Sequence, residues 1–360
     1  MTVAPRLHLD KPLFYALLLL AALSLAILYS ASAKNEAVTF AHFVRLALGF
    51  AVLIGVAQVR PELLERSAPW VFGIGVLLLL AVLGLGVISK GAQRWLGFGP
   101  LRFQPSELMK IGSPLMLAWY LARGGLPPSP LRVAGALGLV LLPAALIAEQ
   151  PDLGTALLVA ASGMFVLFLA GLSTRFMGIA LLAAIAAAPV LWHYLHDYQR
   201  NRILTLLDPT ADPLGSGYHT IQSIIALGSG GIYGKGWLNS TQAHLEYLPE
   251  SSTDFIFAVF GEEFGLIGVL LAVALYGFIT ARAMLIAFYA QDTFSRLLAG
   301  SIALSFFLQF FVNIGMVIGI LPVVGVPLPM MSYGGSSILT LLAGFGILMS
   351  IQTHRKIVEF

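Results

Sequence analysis

The chain has 360 residues, of which 58% are hydrophobic and only 10% charged, where a soluble domain of this length would carry roughly a quarter charged residues. Its net charge of +3 comes with no basic run of the kind that grips nucleic acid, and the absence of cysteine excludes thiol catalysis, disulfides and cysteine-ligated metals. With a mean hydropathy of +0.90, the solvent for most of this chain is a bilayer, and the expected fold is an all-α integral membrane protein with about ten transmembrane helices.

Arg6 and Lys11 precede the first apolar run, and no small-residue cleavage site clearly follows it, so the run reads as a retained span and not as a removed signal peptide. Spans are expected near 13–30, 43–59, 70–88, 106–122, 131–148, 154–171, 176–194, 254–281, 297–320 and 335–352, forming one polytopic domain over 1–360. With the N-terminus inside, the inner connections hold Arg6, Lys11, Arg60, Arg66, Arg123, Arg132, Arg175, Arg282, Arg296, Arg355 and Lys356. The short outer connections hold only Lys34, Lys90, Arg94 and Arg102. This bias puts both termini in the cytoplasm.

Arg45, about one turn into the second span, either faces a polar cavity or snorkels to the outer surface. Arg94, Trp95 and Arg102 stand just before the fourth span, Trp95 being also an ordinary interfacial anchor. In QPSELMK (104–110), proline at the first helical position and Glu107 in the first turn mark a helix start. Glu107 and Lys110 share a face at i, i+3, with Lys110 about 4.5 Å deeper. Charges at that depth must face protein or water. They are either a packing ion pair or a cradle that offers Lys110 to a phosphate.

An outer loop is expected over 195–253, between the seventh and eighth spans, long enough to be functional. It contains Arg200 and Arg202. Tyr218–Leu227 has the spacing of a helix lying flat on the membrane surface. GSGGIYGKG (228–236) is not a nucleotide loop, because no Ser or Thr follows Gly-Lys and no strand precedes it. Asn239-Ser240-Thr241 matches a glycosylation acceptor, a triplet common by chance. Asp254 closes the loop after Ser-Ser-Thr and is either a helix cap or a general base. Glu262 and Glu263 follow two turns on, as buried polar partners or a second charged layer. From Asn313 to Ser337, prolines and glycines interrupt an apolar stretch, and irregular backbone at such depth is tolerated where it is buried or lines a cavity. Ser332, Tyr333, Ser336 and Ser337 either line that cavity or pack.

Five segments in order, GAQRWLGFGPLRFQPSELMK (91–110), QPDLGT (150–155), the loop through GSGYHTIQSIIALGSGG to GKGW (212–237), LPESSTDFIFAVFGEEFG (248–265) and NIGMVIGILPVVGVPLPMMSYGGSS (313–337), resemble the SEDS family. These are the shape, elongation, division and sporulation polymerases of the bacterial cell wall, and the likeness is closer to the elongation branch than to the division branch. One departure is His219, where many relatives carry Gln.

The resemblance implies an inverting peptidoglycan glycosyltransferase that polymerises lipid II on the outer face of the cytoplasmic membrane. It also implies a class B penicillin-binding protein as partner, Asp254 as the essential residue, and Glu107 and Lys110 in the same site. In that reaction Asp254 is the base, while Lys110, Arg45, Arg102 and, more weakly, Arg200 and Arg202 face the leaving pyrophosphate, with Trp95 at the rim. A divalent cation is a candidate cofactor, although no ligand cluster demands one. Two other classes remain at this stage: a lipid II flippase, and a non-catalytic scaffold for the penicillin-binding protein.

Overall fold

The computed structural model describes residues 7–89, 92–98, 101–173, 197–209, 217–245, 247–248 and 250–355, with isolated positions between 175 and 193. The expected span 176–194 falls largely outside the described residues. The first six helices are α1 (Lys11–Ala31), α2 (Glu36–Ala57), α3 (Pro61–Leu85), α4 (Pro105–Ala122), α5 (Pro130–Ala148) and α6 (Leu153–Leu169). They start where the chemistry of their first residues dictates. Asp10, Asn35 and Asp152 each accept a hydrogen bond from a backbone N–H in the first turn, and α3, α4 and α5 open with proline. Between α3 and α4 the chain forms a small antiparallel meander of β1 (Val87–Ser89), β2 (Ala92–Phe98) and β3 (Leu101–Phe103), a feature that apolar runs alone do not announce.

Three shorter helices follow in the expected outer loop: α7 (Asp197–Leu207), α8 (Tyr218–Ser229) and α9 (Thr241–His244). Then come α10 (Ile256–Phe288), α11 (Thr293–Val317) and α12 (Ser336–Thr353). Seven of the described helices (α1, α2, α3, α5, α10, α11 and α12) are long and apolar enough to cross a membrane, and α6 is a shorter apolar helix. The protein is therefore an all-α multi-pass membrane protein carrying a minor sheet. Helix α8 packs on the bundle: its Thr220, Ser223 and Ala226 face is buried against α10 and α11, and Ser223 Oγ donates to the Val317 carbonyl at 2.8 Å.

The bundle has two distinct ends. At one, His354 after α12 stacks on His8 before α1 with ring centroids 3.9 Å apart, and Arg282 of α10 pairs with Asp10 at 2.6 Å. At the other, Ser251 donates to the carbonyl of Ala31, where α1 ends. These are called the terminal face and the loop face below.

Helix α10 is interrupted. Gly265 has φ 63° and ψ −165°, so the helical ladder breaks there, and the preceding Ile256–Glu263 segment is buried along its whole length. The broken ladder is completed by the glycine-rich loop after α8. The N–H groups of Lys235 and Gly236 donate to the carbonyls of Glu262 and Glu263 (both 3.0 Å), while Leu266 and Ile267 donate to Gly231 and Ile232 at 2.9 and 3.2 Å. The two backbones must come very close: a Cβ on Gly234, itself at φ 79°, would stand 2.1 Å from the Glu263 carbonyl oxygen. This explains the glycines of the segment that resembled, but is not, a nucleotide loop. Within the membrane each backbone group must find a protein partner, and here a loop supplies it.

Candidate active site at the loop face

Asp254 precedes α10 by two residues, so the cap position belongs to Phe255, whose side chain makes no capping hydrogen bond. The segment of Asp254 is fixed through consecutive backbone carbonyls. Tyr333 N–H donates to Ser252 O at 2.9 Å, Ser332 Oγ to Thr253 O at 2.6 Å, and Asn313 Nδ2 to Asp254 O at 2.9 Å. Asn313 Nδ2 also donates to Val326 O at 2.8 Å, binding the 322–333 loop to the same frame. Behind that loop, the fully buried Tyr276 of α10 stacks on Phe310 with centroids 4.3 Å apart and donates its hydroxyl to Pro329 O at 2.6 Å. Gly325, at φ 72°, faces the carboxylate: a Cβ there would lie 3.5 Å from Asp254 Oδ2.

Glu107 and Lys110 of α4 are paired at 2.7 Å, as their spacing implied, and both are largely buried. Glu107 Oε2 also accepts from Thr340 Oγ1 of α12 at 3.2 Å. Lys110 and Glu107 line a small cavity of about 40 Å³ with Ser305 and Gln309 of α11 and Ser337 and Thr340 of α12. Gln309 and Asn313 are one turn apart on α11, so the Lys110 cavity and the Asp254 segment are neighbours along one helix, about 6 Å apart in rise.

Arg45 lies with its guanidinium carbon 4.3 Å from the ring centroid of Tyr333, and among the described residues its Nη1 has no hydrogen-bond partner. One turn earlier, His42 is fully buried, shares a 2.7 Å hydrogen bond with Ser24 Oγ, and has its ring centroid 6.1 Å from that of Tyr333. The segment from Ser332 to Thr340 therefore touches the Asp254 chain, Arg45 and the Glu107–Lys110 pair in turn.

The other described candidates have different neighbours. Arg94 of β2 is held by the α5–α6 turn: it donates to the Pro151 carbonyl and lies 3.7 Å from Asp152. Gln104 donates to the same Asp152 at 3.0 Å, which ties the meander and the start of α4 to α6. Trp95 sits in β2 opposite Val87, and nothing brings it to the Lys110 cavity. Arg102 belongs to β3 by its backbone, and its side chain lies outside the described residues. Arg200 donates to the Trp192 and His193 carbonyls at 3.0 and 2.8 Å, and Arg202 lines a separate small recess with Thr220 and Val323.

Glu262 is the buried partner of Lys235 at 2.6 Å, and Glu263 accepts from Ser30 Oγ of α1; neither forms a charged layer in a cavity. Among the described residues no group of three His, Asp or Glu side chains is arranged to hold a metal ion. Asn313 and His42 were not singled out from sequence. Each is a polar residue inside an apolar span, and that signal marks both.

The family model for cell cycle proteins of the FtsW, RodA and SpoVE type matches residues 10–357, and the chain belongs to that family. It is 52% identical over 355 residues to the peptidoglycan glycosyltransferase MrdB of Escherichia coli K12, covering 98% of this chain and 96% of that one. The MrdB of Helicobacter pylori J99 is 38% identical over 364 residues, covering 98% and 92%.

Among solved structures, a chain of a peptidoglycan synthase complex that coordinates polymerization and crosslinking superposes with a TM-score of 0.84 at 33% identity, covering 96% of this chain and 97% of that one. The Thermus thermophilus rod shape determining protein RodA superposes with a TM-score of 0.74 at 29% identity, covering 97% and 98%.

Proposed function

We propose that this protein is an inverting peptidoglycan glycosyltransferase that polymerises lipid II into glycan strands during cell elongation, with Asp254 as general base. One observation carries the assignment of Asp254. Three consecutive carbonyls of its segment are held by Tyr333, Ser332 and Asn313, which presents the carboxylate from a rigid frame. The near-full-length likeness to MrdB supports the reaction class.

The acceptor's 4-hydroxyl attacks the anomeric carbon of the donor sugar. As the new carbon–oxygen bond forms, the bond to pyrophosphate breaks, the pyrophosphate leaves with the electron pair, and the anomeric centre inverts from α to β. The hydroxyl proton passes to the Asp254 carboxylate, a transfer worth about 10²–10⁴-fold when the base is in reach. The transition state has oxocarbenium character, as in glycosidases. Lys110, oriented by Glu107, and Arg45, resting on Tyr333, stabilise the charge that develops on pyrophosphate. Arg102, Trp95, Arg200 and Arg202 have no step assigned to them.

The loop face is on the outer side of the cytoplasmic membrane and the terminal face, with both termini, is cytoplasmic, in keeping with the lysine and arginine bias of the connections. The partner is a class B penicillin-binding protein that crosslinks the new strand, a reading supported by the likeness to a synthase complex that joins polymerization to crosslinking. The test is to reconstitute the purified chain with that partner, block crosslinking with penicillin and supply labelled lipid II. Glycan ladders are expected; movement of lipid II across vesicles without ladders would overturn the assignment in favour of a flippase.

A further inference from the structure

We propose that Asn313 is a positioning residue for Asp254, acting through two backbone carbonyls that flank the carboxylate. The inference rests on Asp254 taking part in the reaction.

Asn313 is fully buried in α11, a helix otherwise apolar enough to cross a bilayer. A primary amide at such a position is costly unless its protons are bonded. Its Nδ2 has two protons, and each has a carbonyl: Asp254 O at 2.9 Å and Val326 O at 2.8 Å. The orientation is dictated, because the flipped amide would set its own oxygen against two other oxygens.

The two carbonyls belong to different segments. One carries the carboxylate; the other follows Gly325, whose missing side chain leaves the space beside Asp254 Oδ2 open. One side chain thus fixes both the base and the wall it faces. The oxygen of the same amide, Oδ1, has no partner among the described residues, an imperfection that a residue chosen for packing alone would not carry. Ser332 reinforces the frame: its hydroxyl donates to Thr253 O at 2.6 Å and accepts from Leu328 N–H at 2.8 Å.

Displacement of a reacting group by about 1 Å costs on the order of 10²-fold in rate. In the complex with its transpeptidase partner, Asn313→Ala is expected to lower kcat for lipid II polymerisation by roughly 10- to 100-fold, with KM changed less than about twofold. Asn313→Gln, which keeps both amide protons, should recover part of the loss, and Asn313→Asp, which replaces them with a second acceptor, should not. A wild-type kcat in Asn313→Ala, a loss confined to KM, or an Asp variant as active as the Gln variant would overturn the proposal.

If Asn313→Ala does not fold, Ser332→Ala is the milder probe, and the same split of kcat from KM is required of it. Asp254→Asn run alongside separates the two ideas. An inactive Asp254→Asn with a normal Asn313→Ala removes the positioning role alone, whereas full activity in both removes the role of Asp254 as well.

Discussion

Lys235 Nζ lies 2.6 Å from Glu262 Oε1, and this pair fastens the glycine-rich loop to the buried turn where α10 breaks. Glu262 has no exposed side-chain surface, and it also accepts from Ser240 Oγ, from Thr241 N–H and Oγ1, and from Gln242 N–H. One carboxylate thereby gathers the chain from 235 to 242.

Glu262→Gln should destabilise the loop by about 2–4 kcal/mol, because it deletes the ion pair and sets an amide N–H₂ among donors. Lys235→Ala should cost less, since the carboxylate keeps its donors from Ser240, Thr241 and Gln242. Thermal unfolding in detergent and limited proteolysis between 229 and 242 check this. Equal stability in the two variants would show that the network does not centre on Glu262.

Lys110→Ala should reduce polymerisation by on the order of 10²–10³-fold if it stabilises the leaving group, and Lys110→Arg should keep part of that activity. Glu107 and Lys110 act as one unit at 2.7 Å, so Glu107→Gln combined with Lys110→Ala should be little worse than Lys110→Ala alone. Multiplicative losses measured by steady-state kinetics would show that the two work separately.

His219 of α8 stacks on Phe255 with centroids 5.8 Å apart, next to Asp254. Burial pushes its imidazole below the ordinary 6.5, against a smaller upward pull from Glu250. The unfolded chain therefore takes up the proton first as pH falls, so this contribution to stability is present above about pH 6.5 and is lost below it. The melting temperature of the wild type should drop on going from pH 7 to pH 5.5 by more than that of His219→Phe. Identical pH profiles would remove His219 as the cause.

The absence of native cysteine makes single-cysteine labelling a direct test of orientation. An impermeant thiol reagent added to intact spheroplasts should label Leu245→Cys, exposed on the loop face, and should spare Arg355→Cys on the terminal face. The opposite pattern would invert the topology.

Much of the bundle is legible residue by residue. Asp10, Asn35 and Asp152 mark helix starts because capping is local, and apolar length marks the spans because hydrocarbon thickness sets it. Helix α3 begins at Pro61, well before the apolar run at 70, because its polar first turns continue the helix beyond the hydrocarbon. The break at Gly265 is not legible: the surrounding EEFGLIG reads as helix, and the partners that sustain the break come from Gly231 to Gly236.

The site divides in the same way. Asp254, Glu107 and Lys110 stand out as charges in apolar surroundings. The stacking of Arg45 on Tyr333 and the bridge of Asn313 between Asp254 and Val326 depend on segments distant in the chain.

The central claim is that Asp254 is the base, and the most direct measurement is lipid II polymerisation by the wild type and Asp254→Asn side by side. Both would be purified with the transpeptidase partner, with penicillin present. The expected result is glycan ladders from the wild type and none above background from Asp254→Asn, with the variant folded and still bound to its partner. Ladders of equal length and rate from both would contradict the claim.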